Sequence, residues 1–316
     1  MKTRKVMKSN FQSLFIVLMI ALSIVSIFVV VNHSAAVSRP APCSIAPLPK
    51  TTFEGAPSML NCTVDGEHRE ALVYAPTFSI KGDKMPLVFA FHGHGGSMAE
   101  AEQKMHVQRA WPQAIVIYPQ GLDRGRPHES ECGNIDPVGN FSGWQVEANQ
   151  PAGVGNKDLE FFDAMVETIR QKYNVDDDRV YSTGFSNGAL FSYLLWAERG
   201  NTLAAIAEVS GRLWKTDELK ERRPLLAIAG RTDTTDPTAC QLASIEKAKE
   251  FDNANGTGDQ CPAPTVVDPK AANPQCTLFP SSTQTPVKTL IHDGAHWYPS
   301  WAPEEIVKFF KNHKRS

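Results

Sequence analysis

Short, unbroken apolar runs recur along this chain, each closed by glycine, proline or a polar turn, and helix-spaced stretches separate them. PLVFAF (Pro86 to Phe91) and QAIVIYP (Gln113 to Pro119) are two such runs. A run of that length without polar alternation marks a strand buried on both faces, as in a parallel sheet covered by helices. The same reading places strands at 69–76, 179–183, 204–209, 224–230 and 287–292. Between the early and middle strands, Leu159, Phe162, Met165, Val166 and Ile169 recur at helical spacing over 158–173. Further helices are expected at 188–198 and 303–312. Strands alternating with helices define an α/β fold: a mostly parallel central sheet, helices on both faces, one domain over 64–316. Ligands of such sheets bind at the carboxyl ends of the strands.

With 316 residues, 42% hydrophobic, the chain is long enough to bury a full core. A formal charge of -2 gives no global field toward nucleic acid or an anionic membrane. The basic end, Lys308 to Arg315, reads as the solvated last turn of a helix. The amino end is different. Lys2, Arg4, Lys5 and Lys8 precede an apolar run from Leu14 to Val31, and Ser34 and Ala36 follow it. Residues 1–36 are therefore expected to be an export signal or an uncleaved membrane anchor. Either puts the body of the protein outside the cytoplasm, secreted or periplasmic. Residues 37–63 read as an irregular lead-in.

Six cysteines, Cys43, Cys62, Cys132, Cys240, Cys261 and Cys276, suit that compartment. Cys43–Cys62 and two bonds among the later four are the expected pairing, although six cysteines allow 15. No CxxC pair or HExxH string points to a metal. Three of the cysteines fall in a polar stretch at about 234–284, which reads as a disulfide-prone insertion beside the site, with a helix over 244–252. A surface loop without a role is the alternative.

The chemistry concentrates at strand ends. GFSNG (Gly184 to Gly188) follows a strand and opens a helix. A serine at such a turn exposes its hydroxyl, and the glycines admit the close backbone approach. Ser186 is thus the candidate nucleophile, and the amide of Asn187 a candidate oxyanion donor. FHGHGGS (Phe91 to Ser97) follows another strand, with the His94 amide as the second donor and Gly95 as its neighbouring option. His92 reads as a buried core histidine, and His94 lies on the oxyanion side rather than at the base. The order serine, acid, histidine puts the base late: His296, in the loop beyond 287–292, with His292 as rival. The acid follows the strand LLAIAG: Asp233 first, Asp236 as a turn residue before Pro237, Asp293 third. Trp144 and Trp297, with Tyr298, are candidate aromatic surfaces for substrate, against the alternative that they are core residues.

Taken together, PLVFAFHGHGGS, IYPQG, Gly143-Trp144, RVYSTGFSNGAL, AAIAEVSG, the GRTD stretch and GAHWYP resemble the polyhydroxybutyrate depolymerase and feruloyl/acetylxylan esterase group of serine esterases, over about 64–310. The resemblance implies an α/β-hydrolase fold, no cofactor or metal, and a carboxylic ester substrate. It implies catalytic roles for Ser186, Asp233 and His296, and oxyanion roles for Asn187 and His94. Two departures stand out: Ala229-Gly230 where the group usually has His-Gly, and Asn156-Lys157-Asp158 where two aspartates usually open a helix. The expected reaction is acyl transfer through Ser186 to water. An acyltransferase, a peptidase on the same fold and a non-catalytic binding protein are the alternatives. The expected partner is a polyester oligomer or a polysaccharide-linked ester, with any membrane attachment confined to the N-terminal segment.

Overall fold

The computed structural model describes residues 43–48, 56–76, 82–123, 132, 141–149, 155–214 and 218–315. The expected leader at 1–36 lies outside them. The compact unit runs from Pro40 to Ser316. Among the described residues, no helix is long and apolar enough to cross a membrane.

The chain begins with three strands, β1 (Ser44–Pro47), β2 (Ser58–Val64) and β3 (Glu67–Tyr74). It continues through β4 (Met85–Phe91), α1 (Met98–Met105), α2 (Val107–Ala110) and β5 (Ile115–Pro119), then the short ribbon β6 (Leu122–Asp123) and β7 (Ser142–Gly143). Next come α3 (Lys157–Lys172), β8 (Val175–Phe185), α4 (Asn187–Arg199), β9 (Ala205–Val209), β10 (Leu225–Gly230) and α5 (Thr238–Phe251). The last elements are β11 (Asp259–Cys261), a 3-10 turn (Pro269–Ala271), β12 (Gln275–Phe279), β13 (Val287–His292) and α6 (Ala302–Lys311).

Eleven strands form one sheet in the order β1-β2-β3-β5-β4-β8-β9-β10-β13-β12-β11. The six inner strands, β5 through β13, pair in parallel. Both flanks are antiparallel. The apolar runs become the inner strands because both faces are covered. Along β4, Phe89 and Phe91 join a core with Phe161, Phe162 and Trp196 from α3 and α4. Val88 and Ala90 join the opposite core with Met105, Trp111 and Phe310, on the side of α1, α2 and α6.

Two sequence expectations change. The lead-in is not irregular throughout: β1 and β2 lie within 37–64 and extend one sheet edge, tied by Cys43–Cys62. The stretch 234–284, expected as a disulfide-prone insertion with a helix over 244–252, holds more regular structure than that. Its helix starts at Thr238, and β11 and β12 extend the other edge from β13. Cys261 and Cys276 face each other in register and are bonded, and Cys132 is bonded to Cys240 on α5.

Candidate active site

Because the inner strands are parallel, the ends of β4, β8, β10 and β13 open on one edge of the sheet. Ser186 stands between β8 and α4 with φ 53° and ψ -120°, a strained backbone for a residue with a Cβ. The flanking glycines are obligatory. A Cβ at Gly184 would lie 2.2 Å from the Gly188 carbonyl, and one at Gly188 2.2 Å from the Phe91 oxygen. Ser186 is anchored through its amide to the Val209 oxygen, 2.9 Å. Its amide partner and its φ are fixed by neighbours rather than by its own preference. The Asn187 amide follows at the first position of α4, where helical N–H groups have no intrahelical acceptor.

The loop after β4 closes on this turn. A Cβ at Gly93 would be 3.4 Å from the Ser186 Cβ. The Gly95 amide donates to the Ser142 oxygen at 2.7 Å, so it is already engaged and the His94 amide is the better oxyanion candidate of the two. At Gly143, a Cβ would meet Asn187 Oδ1 at 2.8 Å and His94 Nδ1 at 3.0 Å, so the side chains of both oxyanion candidates converge on one glycine. Asn187 is locked there, accepting from the Trp144 amide at 2.7 Å and donating to the Trp144 oxygen at 3.1 Å. Behind it, Asp158 accepts from the Gln145 amide and pairs with buried Arg69, both at distances under 3 Å. The Asn156-Lys157-Asp158 departure therefore leaves one carboxylate where a structural ion pair needs it.

The ends of β10 and β13 bring the other two motifs together. A Cβ at Gly230 would be 2.4 Å from the oxygens of Gly294 and Ala295, an approach only glycine permits. His296 Nδ1 lies 2.8 Å from Asp233 Oδ2. Asp233 also accepts from the amides of Thr235 and Asp236 and from Gln241 Nε2. Burial alone would push its carboxyl up, but the His296 bond and these donors hold it below its usual range. If Nδ1 donates to Asp233, the other ring nitrogen of His296 is the basic one. Among the described residues no hydrogen bond joins Ser186 to His296. The Phe185 ring, beside Ser186, packs on the His296 ring at 5.0 Å. Such contacts are often long before substrate binds.

The rivals go elsewhere. His292 is buried, accepts the Gly294 amide at 3.0 Å, and burial lowers its pKa. Asp236 forms a buried ion pair with Arg212, a stronger engagement than the turn role expected of it. Asp293 pairs with Arg231 at the surface, 2.8 Å. His92 is a core histidine, held between the Gly93 oxygen and the Gly121 amide.

Trp144 is a correction. It is 2% exposed, stacks on Phe191, and donates from its indole to the His92 oxygen, so it is core and offers substrate no face. Trp297 is half-buried beside His296, and Lys270 Nζ lies 3.8 Å over its ring. Tyr298 is buried. Sequence reasoning missed Gln241 and Arg212, and no local motif announces either. A cavity of about 170 Å³ adjoins the turn, lined by the His92–Gly96 loop, Lys104 and Phe185.

No protein-family model matches the chain. It is 25% identical over 249 residues to a probable feruloyl esterase C of Aspergillus terreus, covering 76% of this chain and 80% of that one. It is 24% identical over 222 residues to a bifunctional acetylxylan esterase/xylanase of Neocallimastix patriciarum, covering 68% of this chain but spanning only 28% of that relative. In three dimensions it resembles an acetyl xylan esterase from Aspergillus awamori, TM-score 0.53 at 16% identity, over 80% of this chain and 98% of that one. It also resembles an S-formylglutathione hydrolase from Agrobacterium tumefaciens, TM-score 0.57 at 11% identity, over 86% and 99%. The chain is thus similar in sequence to feruloyl and acetylxylan esterases and has an α/β-hydrolase fold, and together these likenesses support a carboxylic ester hydrolase.

Proposed function

We propose that the protein is an exported serine esterase that releases acyl groups from esters of plant polysaccharides, of the feruloyl or acetyl kind. The observation that carries the reading is the 2.8 Å contact of His296 with Asp233, at the same sheet edge as a serine held at positive φ between glycines. Ser186 attacks the ester carbonyl as His296 takes its proton. Asp233 holds the imidazole tautomer and stabilises the imidazolium without taking the proton itself. The amides of Asn187 and His94 receive the negative oxygen. His296 then protonates the leaving alcohol and activates the water that frees the acid.

The polysaccharide side of the assignment rests on the names of the relatives; a hydroxyalkanoate polyester is the other substrate of the same chemistry. Trp297, next to His296 in sequence and covered by Lys270 Nζ, is the proposed surface for the acyl or sugar part. Three disulfides among the described residues suit an oxidising compartment outside the cytoplasm. Residues 1–36 are assigned as the segment that exports or anchors the chain.

Hydrolysis of p-nitrophenyl acetate, p-nitrophenyl butyrate, methyl ferulate and a hydroxybutyrate oligomer by the full chain, beside Ser186→Ala, tests this. Feruloyl or acetyl ester turnover that disappears in the variant is the expected result. Turnover confined to the hydroxybutyrate oligomer would move the substrate to polyester. No turnover of any ester by the folded, oxidised protein would overturn the esterase reading.

A further inference from the structure

A second cavity, of about 620 Å³, opens at the opposite edge of the sheet. Pro224 and Ala204 line it, the residues just before β10 and β9, as does Thr285 ahead of β13. It is therefore separated from the catalytic edge by the length of β10, about 20 Å for six residues at ~3.3 Å each. Its walls carry Lys220, Arg222, Arg223, Lys314 and Arg315 against one acid, Glu221. Part of that charge is answered nearby: Lys220 pairs with Glu198 at 2.9 Å, and Arg315 meets Asp178 at 3.5 Å. The rest is not. Lys314 has no ion-pair partner among the described residues, and Glu221 reaches Arg223 only at 3.8 Å.

The two arginines are held in place by the backbone. Arg222 Nε donates to the Phe251 oxygen and Arg223 Nε to the Gly200 oxygen, both at 2.8 Å. The terminal nitrogens of Arg222 make no hydrogen bond or ion pair among the described residues, and its guanidinium carbon lies 5.6 Å over the Phe251 ring. Burial, and then the charge of Arg315, hold the Arg223 guanidinium below its ordinary range, with Glu221 opposing. Like charges crowded in this way are relieved by an anion placed between them. Asp252 is fully buried behind them, and burial pushes its carboxyl up to about 8 against the opposing charges of Arg222 and Arg223.

We propose that this cleft is a binding site for an acidic saccharide, a sugar chain bearing a uronate carboxylate, distinct from the catalytic edge. A guanidinium fork fixed at Nε presents the planar, two-donor geometry that a carboxylate matches. The lining also includes Gln284 and Asn312, amide side chains suited to sugar hydroxyls, while the Thr283 and Thr285 hydroxyls are engaged with the Asp252 oxygen and with each other. The volume is that of a site for a multi-atom ligand rather than for one small oxyanion. Such a site would hold an acidic polymer on the protein while the catalytic edge works on another part of it. The assignment does not depend on the esterase reading.

Calorimetric titration of the full chain at low salt tests it, with a glucuronate-bearing oligosaccharide, its neutral counterpart and inorganic phosphate as ligands. The acidic sugar should bind at least about tenfold more tightly than the neutral one, a gap of roughly 1.4 kcal/mol. Its affinity should fall with added salt and persist after Ser186 is blocked by a fluorophosphonate. Arg222→Gln and Lys314→Gln, both at exposed positions, should weaken it about tenfold and leave hydrolysis of p-nitrophenyl acetate unchanged. Equal affinity for neutral and acidic sugars would overturn the proposal. So would indifference to both substitutions, loss of binding on blocking Ser186, or binding of phosphate without the uronate.

Discussion

At Gly143 the absence of a side chain decides whether the oxyanion candidates keep their places. An alanine methyl there would sit 2.8 Å from Asn187 Oδ1 and 3.0 Å from His94 Nδ1. Both side chains would have to move, and the amides on the same residues would move with them. Gly143→Ala is therefore expected to lower kcat by about 10²–10³, the cost of losing one oxyanion donor, with a smaller change in KM. Steady-state kinetics beside a melting curve check it; an unchanged kcat would separate Asn187 and His94 from the oxyanion role. Asp252 gives a different residue-scale expectation. Folded, it keeps its proton up to about pH 8; unfolded, it ionises near ~4. Between those values the folded state holds the extra proton, so stability falls as pH rises from about 4 to about 8. Asp252→Asn removes that loss. Its Tm gain over the parent should be larger at pH 8 than at pH 4, and equal gains at both would remove the effect.

At the scale of elements, the segment 268–273 straps down the loop that carries His296. The Ser300 amide donates to Asp268 Oδ2 at 2.7 Å, and the Asp293 amide to the Ala272 oxygen at 2.9 Å. Ala271 is fully buried, and Gly294 approaches the Lys270 oxygen too closely for any Cβ. Burial pushes the Asp268 carboxyl up, but bonds from the Ser300 and Lys270 amides win and hold it low. Asp268→Ala is expected to reduce kcat several-fold with KM little changed, and Asp268→Asn, which keeps one acceptor, to restore part of it. A change confined to Tm would make the strap structural only.

This element also shows where sequence reading stops. The inner strands and the serine turn were legible because their letters carry the physics: unbroken apolar runs, and glycines where backbones touch. β2 and β12 mix exposed and buried positions, so they lack that run and read as lead-in and loop. Trp144 beside Gly143 reads as a surface aromatic, yet burial depends on Phe91 and Phe191, which are remote in sequence. Gln241 reaches Asp233 across one helical turn that no local signal places.

On the scale of the whole molecule, three disulfides tie both sheet edges and α5. The bond with the widest separation, Cys132–Cys240, closes 108 residues, and Gln241, next to Cys240, contacts Asp233. A loop of that size corresponds to roughly 4–5 kcal/mol in the chain-entropy account. Replacing both cysteines by serine should lower Tm by roughly 10 °C. A Tm within a degree or two of the parent would mean that the unfolded chain gains little freedom when this bond is lost.

The chemistry proposed for this sheet edge requires Ser186 to be an activated nucleophile. Intact-protein mass spectrometry after exposure to a fluorophosphonate tests it without assuming any substrate. One covalent adduct that maps to Ser186 and is absent from Ser186→Ala is the predicted result. No adduct on the folded protein, or an adduct that persists in the variant, would contradict it.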